Sequence, residues 1–419
     1  MKKNIVEVKV ENGTNEILQH AVDSIYKSGG GSIMIGPGIF EMQDSLHLKT
    51  GVKIYGTQGR TVLKKSRCVS SDLSADLGYG HYDVSVKRPD LFNVGMGIHI
   101  IDDSGRGFYG TVATIIWKNG DKLGIDKMLN HDYARIRHAR VSTEFPVISG
   151  YYVRDALVQG ITIEGNKDEN DFIDGCRGGG IFLLQCHGVN LSNILVEKYA
   201  GDGISYQQCT RLLIENCEIR NNSGSGLHPG SGSTGVIMRN CKIIKNDNDG
   251  VFYCLRVGFT LLENCEISNN GNDGISIGAR DTDHIIRENT ITDNARHAIY
   301  FRKADEVMGG HRNLIEGNII SENCRKIGMG EVFIENVNCD IWFRKNQITC
   351  GKKSKYGIVA NNLCKRICIA KDNSFVCCKK EKMPSTKSGI FEEIIPKKLS
   401  VGPEYVNNNS IRHLGILEE

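Results

Sequence analysis

From about residue 150 onward, apolar residues come in short segments, three or four residues long, that alternate with polar ones and stop at a glycine or asparagine. Alternation with a period of two marks strands with one buried face. The segments recur at a fixed beat: Gly180-Ile-Phe-Leu, Gly203-Ile-Ser-Tyr, Gly226-Leu-His-Pro, Gly250-Val-Phe-Tyr, Gly274-Ile-Ser-Ile and Ala298-Ile-Tyr-Phe, spaced 23, 23, 24, 24 and 24 residues apart. Asn193, Asn216, Asn240 and Asn264 keep the same beat, with Asn289 one residue late. Asn222, Asn246, Asn270 and Asn294 form a third column. Such a period defines stacked repeats.

Leucine-rich repeats share this length, but the regular leucine scaffold they need around each strand is missing. Each unit instead holds two or three β-branched segments, such as Leu212-Leu-Ile-Glu and Val236-Ile-Met-Arg, with Gly or Asn at the corners. Those residues tolerate the left-handed backbone that sharp corners require. The pattern predicts an all-β fold, a right-handed parallel β-helix, whose coils stack about 4.8 Å apart. Alternation then directs Ile204, Tyr206, Leu227, Pro229, Val251, Tyr253, Ile275, Ile277, Ile299 and Phe301 inward. Ser205, Gln207, His228, Phe252, Cys254, Ser276, Tyr300 and Arg302 are directed outward.

The N-terminal end differs. Thr14 to Tyr26 reads as an amphipathic helix with Ile17, Ala21 and Ile25 on one face, opened by Thr14 or Asn15 and ended by Gly29-Gly30-Gly31. It is expected to cap the solenoid. The glycine run follows the helix and lacks a Lys-Ser/Thr signature, which excludes a phosphate-binding loop. The division expected is 1–89 for the cap and first coils, 90–148 for a small inserted β-module, 149–378 for regular coils and 379–419 for a C-terminal cap or arm. Regularity should lapse after Phe301, through Gly309-Gly310-His311, and resume near Glu331 and Gly357.

Composition narrows the function classes. Forty-eight glycines, seven prolines and 40% hydrophobic residues describe a folded, turn-rich chain. A net charge of +3 argues for neither a nucleic-acid nor a membrane partner. No apolar stretch approaches a membrane span, and no apolar segment follows the N-terminal lysines. With fifteen cysteines, this leads to the expectation of reduced thiols in a cytoplasm. Cys217, Cys241 and Cys265 should form an internal ladder. Cys364, Cys368, Cys377 and Cys378 lie in strand-like segments rather than at diagnostic metal spacing.

The helix leading into Gly30-Gly31-Ser32 and Pro37-Gly38, followed by Asn- and Gly-cornered coils, resembles the pectate-lyase-like superfamily. The resemblance implies a carbohydrate substrate, with lyases, glycoside hydrolases, epimerases, esterases and tailspikes all among its members. Ser225-Gly-Leu-His-Pro-Gly is similar in layout to the Tyr-Gly-Phe-Asp-Pro-His motif of mannuronan C5-epimerases. Ser225, His228 and Gly230 stand where that family has Tyr, Asp and His, so its catalytic groups are missing.

Candidate chemistry gathers on one face. Before the glycines come Asp202, Ser225, Asp249, Asp273 and His297; beyond the strands come Arg256 and Arg280. Asp249 and Asp273 lie one coil apart, a spacing at which a carboxyl pair can cleave a glycosidic bond and at which one pKa should rise. Asp-Gly also simply makes a good turn. His228, Asp281, Asp283 and His284 are candidates for supporting acids, bases or ligands. Asp202, Gln207, Phe252, Arg256, Arg280, Arg302 and Tyr300 are expected to bind substrate, the arginines an acidic group and the aromatics a sugar face. A glycosidase using Asp249 and Asp273, with His228, Arg280 and Asp283 in support, leads. A polysaccharide lyase acting on a uronate, to which a divalent cation such as calcium belongs, comes second; a non-catalytic glycan-binding or structural solenoid comes third. No resident cofactor or metal is assigned. β-Helices of this kind occur as monomers and homotrimers, so either assembly is expected.

Overall fold

The computed structural model describes residues 6–376 apart from 11–12, 106, 336, 355 and 362. The chain is a right-handed parallel β-helix. Among the described residues, no helix is long and apolar enough to cross a membrane. The expected arm at 379–419, with Cys377 and Cys378, lies outside the described residues. The described residues form two compact units, the first mainly 6–184 and the second mainly 206–376 with the segment 185–192.

In the first unit, the helix Asn15–Lys27 buries Leu18, Ala21, Val22 and Ile25. The spacing of the true apolar face includes Leu18 and Val22, and Ile17, expected inward, is half exposed. The helix lies against parallel strands Gly31–Ile35 and Val52–Tyr55, which pair with each other. Gly38–Met42 pairs with Thr61–Lys65 around the next corner. The coil then opens to admit the inserted module. That module is a six-stranded antiparallel sheet running from Ser70–Asp72 to Arg140–Ser142, longer at its start than the 90–148 expected. Its own core is built from residues such as Leu73, Phe92, Ile100 and Val141. The solenoid resumes at Ile148–Tyr151, paired in parallel with Leu46–His47. The first strands of the module read as solenoid coil because two- and three-residue strands carry the same alternation in either setting.

The second unit is the regular solenoid, with three strands per coil. On one face Leu213, Ile237, Leu261 and Ile285 stack in register, each 24 residues from the last. Ile285 then pairs with Leu314, 29 residues on, because the intervening corner is lengthened around a 3-10 turn at Glu306–Met308. On the second face Ile219, Ile243, Ile267 and Ile291 stack. On the third, Val251, Ile275, Ile299 and Val332 do so. Ile219, Ile243 and Ile267, with Val251, Ile275 and Ile299, are fully buried. No coil could bury these residues by itself, so stacking makes the core.

Two internal columns satisfy the corner backbone. Asn246 N–H donates to Asn270 Oδ1 at 3.1 Å, Asn270 to Asn294, and Asn294 to Asn323. Their amides donate in turn to Ile219, Ile243 and Ile267 carbonyls. The cysteine ladder Cys217, Cys241 and Cys265 is buried as expected, and Asn289 continues it, accepting from Cys265 N–H at 2.9 Å. Asn289 thus belongs to the cysteine column. The left-handed corner of Asn240 and Asn264 is occupied in the next coil by Glu288, with φ of 55°.

Candidate active site

On the third face of the second unit, the outward residues form a row: Phe252 beside Ser276, then Tyr300, then Phe333. His228 meets Phe252 edge-on at 5.3 Å, and Tyr300 stacks with Phe333 at 5.9 Å. Two guanidiniums lie on these rings. Arg302 sits 4.6 Å from the Phe252 centroid and Arg296 4.8 Å from that of Tyr300, distances at which a cation is attracted to a ring face. Arg302 also donates to Ser276 Oγ at 2.9 Å and to the Tyr253 carbonyl at 2.6 Å. It thereby roofs Ser276, which alternation alone directed to solvent and which is buried. Tyr300 donates to Glu335.

Asp249 and Asp273 are neighbours, one rung apart. Asp249 Oδ1 accepts the Asp273 N–H at 2.9 Å and the Asn272 amide at 2.8 Å. Asp273 Oδ1 accepts the His297 N–H at 3.0 Å. They are only 2% and 1% exposed, so they lie beneath the face rather than on it. Their Oδ1 atoms do what the asparagine columns do, in the opposite direction along the stack. Their second oxygens set them apart, since Asp273 Oδ2 has no hydrogen-bond partner among the described residues. Arg296 Nε approaches Asp273 Oδ1 at 3.6 Å, close enough for charge attraction but too far for a hydrogen bond.

Burial disfavours the ionised form of both groups. It pushes Asp249 up to about 6 and Asp273 up to about 8, the latter also raised by the charge of Asp249 and opposed by Arg296 and Arg302. The two titrate as a unit, with the proton held more tightly at Asp273. His297 continues the row. Its Nδ1 donates to the Gly330 carbonyl at 2.7 Å, and burial lowers its pKa, so the ring is neutral with Nε2 as acceptor.

Other expected site residues fall elsewhere. His284 is 1% exposed, stacked 4.3 Å from the Tyr253 ring with Nδ1 on Thr260 Oγ1 at 2.9 Å. Burial pushes its pKa down to about 3, so it is a neutral core histidine and not a group at the mouth of the face. Asp281 is fully buried, where its carboxylate accepts Val257 N–H and Gly278 N–H at 3.0 Å and holds the corner together. Burial raises its pKa to about 7 despite Arg302 at 3.4 Å. Gln207 is fully buried beneath Gly230, where a Cβ would meet its amide, so it cannot touch a substrate. Asp202 is buried in the first unit, packed on Gly224. Asp283 makes a two-pronged ion pair with Arg312 at 2.7 and 2.8 Å. Arg256 and Arg280 are exposed at a neighbouring corner. The sequence places His297 on this face without assigning it a role, and it does not mark Arg296, Phe333 or Glu335. Arg296 was findable as the neighbour of His297, which holds the next place in the column of Asp249 and Asp273.

Sheets, corners and columns together define the class: the chain is a right-handed parallel β-helix repeat protein. Residues 253–410 match the family described as right handed beta helix region, and residues 137–330 match that described as periplasmic copper-binding protein (NosD). Among solved structures, a mannuronan C-5 epimerase A-module of Azotobacter vinelandii is similar with a TM-score of 0.58 at 15% identity, over 89% of this chain and 94% of that one. An exopolygalacturonase of Thermotoga maritima is similar with a TM-score of 0.51 at 11% identity, over 86% and 92%. At these identities the likeness is one of fold. No curated protein matches the chain by sequence.

Proposed function

We propose that the chain is a carbohydrate-active enzyme that cleaves a glycosidic bond at the third face of its second unit. Asp273 acts as general acid and Asp249 as its ionised partner. One observation carries this reading: two adjacent buried carboxyls whose surroundings push their pKa values apart, to about 8 and about 6. Near neutral pH one is then protonated and the other ionised, the division of labour that acid-catalysed glycoside cleavage requires. Phe252, Tyr300 and Phe333 supply faces for sugar rings. Epimerase and polygalacturonase activities of proteins with this fold make a carbohydrate the natural substrate class. Copper, named in one matching family description, has no part in this reading.

Arg296 lies against Asp273 and Arg302 covers the neighbouring Ser276, so a productive substrate must draw these side chains aside. Arg302 has to give up hydrogen bonds to Ser276 and the Tyr253 carbonyl, and an acidic group on the glycan would compensate that loss. The burial of both carboxyls equally fits a second reading, a glycan-binding solenoid without turnover. Incubating the protein with a panel of poly- and oligosaccharides, with mass-spectrometric detection of products, separates the two. Asp273→Asn keeps the acceptor for His297 N–H and should fold normally. It should lose about 10²–10⁴ in kcat with glycan binding retained. Full turnover by that variant would sink the carboxyl-pair mechanism. An unsaturated, ultraviolet-absorbing product would indicate a lyase instead.

A further inference from the structure

The lengthened coil of the second unit builds a second feature, separate from the carboxyl pair. Where other coils turn the corner in a few residues, the segment after Phe301 runs out through the 3-10 turn Glu306–Met308 before rejoining the stack at Leu314. Its return leg walls a cleft of about 400 Å³ lined by Arg256, Arg280, Thr282, Val307, His311 and Arg312, among others. Met308 carbonyl accepts Arg280 N–H at 2.8 Å and His311 carbonyl accepts Asp283 N–H at 3.1 Å, so the wall is pinned to the coil. His311 braces it further, with Nε2 on the Glu306 carbonyl at 2.7 Å and Nδ1 accepting Cys339 N–H at 3.0 Å.

Charge in this cleft is unbalanced. Arg312 is matched by Asp283, and Thr282 donates to the same carboxylate at 2.6 Å. Arg256 and Arg280 sit on adjacent rungs, since Arg256 N–H donates to the Ala279 carbonyl. Neither has a carboxylate within ion-pair distance among the described residues. The acids of the wall are occupied elsewhere: Asp305 accepts Met308 N–H at 3.0 Å, and Glu306 pairs with Lys365 at 3.2 Å. Two like-charged guanidiniums in one concave site repel each other until an anion joins them, and planar guanidinium donors match carboxylate and sulfate oxygens. The left-handed backbone at Arg256 and Arg280 recurs at this corner in other coils, as at Gln208, so it belongs to the corner and not to the cleft.

The geometry points to an oxyanion-binding cleft in which Arg256 and Arg280 together hold a carboxylate or sulfate group. Resting on the proposed carbohydrate function, that group is a substituent of the glycan, either a uronate or a sulfate ester. The test is isothermal titration at constant ionic strength with inorganic sulfate, a glucuronate-containing disaccharide, a sulfated disaccharide and a neutral disaccharide. Wild type is compared with Arg256→Ser/Arg280→Ser, whose exposed positions leave the fold intact by circular dichroism. At least one anion should bind wild type tenfold or more tightly than the double variant, with the neutral disaccharide unaffected. The tighter of the two charged disaccharides identifies the source of the group. Equal binding of every anion by both proteins, or no anion binding by wild type, overturns the assignment. Asp273→Asn serves as the independent control. It should keep anion binding, so a failure of the cleavage mechanism leaves the cleft standing, and a failure of the cleft leaves the carboxyl pair untouched.

Discussion

An aspartate at position 273 can do one thing that an asparagine cannot, which is to exchange a proton. Its Oδ1 serves His297 N–H as an amide oxygen would, while its Oδ2 is buried and, among the described residues, unpartnered. The cost of that choice is visible in stability. Unfolded, the group titrates near 3.9; folded, near 8. The folded state therefore binds the proton more tightly between those values, and stability is fully present below about pH 4 and lost as pH rises through about 8. Relative to Asp273→Asn, wild type should lose about 1.4 kcal/mol for each unit of real shift over that window. Urea denaturation of both proteins from pH 4 to 8.5 checks this, and parallel pH profiles would contradict it. Turnover should follow a bell whose two limbs are the apparent pKa values of the pair, near 6 and near 8. The period of 24 made the adjacency of these two residues legible. Their burial was not legible, because alternation says which side of a strand a residue faces but not what roofs that side. Over Ser276 the roof is Arg302, from the next coil, and the same limit hid the burial of Gln207 and His284.

Elements in this fold are held by columns more than by strands of three residues. Asn270 shows why: its Oδ1 accepts from both Asn246 N–H and the Asn246 amide, and its own amide reaches Ile243 carbonyl and Asn294. Asn270→Ala strips a buried N–H of its acceptor and should destabilise the protein by about 2–3 kcal/mol, read by urea denaturation. Asn264→Ala, at an exposed corner, should cost less, mainly through its left-handed φ of 51°. Outer columns obey a similar rule. Glu215 pairs with Arg239 at 2.8 Å, Glu263 with Arg287, and Glu316 with Arg344 at 2.8 Å, charge alternating rung by rung. In the inserted sheet, a Cβ on Gly124 would lie 1.9 Å from the Trp117 ring, so the indole rests on a bare strand. Gly124→Ala should displace it, with a changed tryptophan emission spectrum as the sign. The asparagine columns could be read from spacing. The handover from Cys265 to Asn289 could not, since both types fit an internal corner and only the hydrogen bond distinguishes them.

At the scale of the molecule, a constant rung length makes position along the stack interchangeable while position around the coil is fixed. The period alone gave the fold, and it gave it without any single residue being decisive; the inserted sheet and the lengthened corner showed only as lapses of the period, so the start of the sheet at Ser70 and the course of the cleft wall were not legible. Interchangeability can be tested by excision. Removing residues 240–263 joins Arg239 to Asn264, which has the same left-handed corner and the same following cysteine as the Asn240 it replaces. Leu213, Ile237 and Ile285 then remain in one column, and Asn246's place is taken by Asn270. This shortened chain should fold cooperatively, with a lower melting temperature from the loss of one stacking interface. It lacks Asp249, Phe252 and Arg256, so it should show neither glycan cleavage nor tight anion binding. Removing only 252–263, half a coil, would bring outward residues against inward ones and leave the internal columns without continuation. That chain should fail to give a cooperative melt. If the two deletions behave alike, the columns do not set the register, and the pairing of residues 24 apart that brings Asp249 to Asp273 would need another cause.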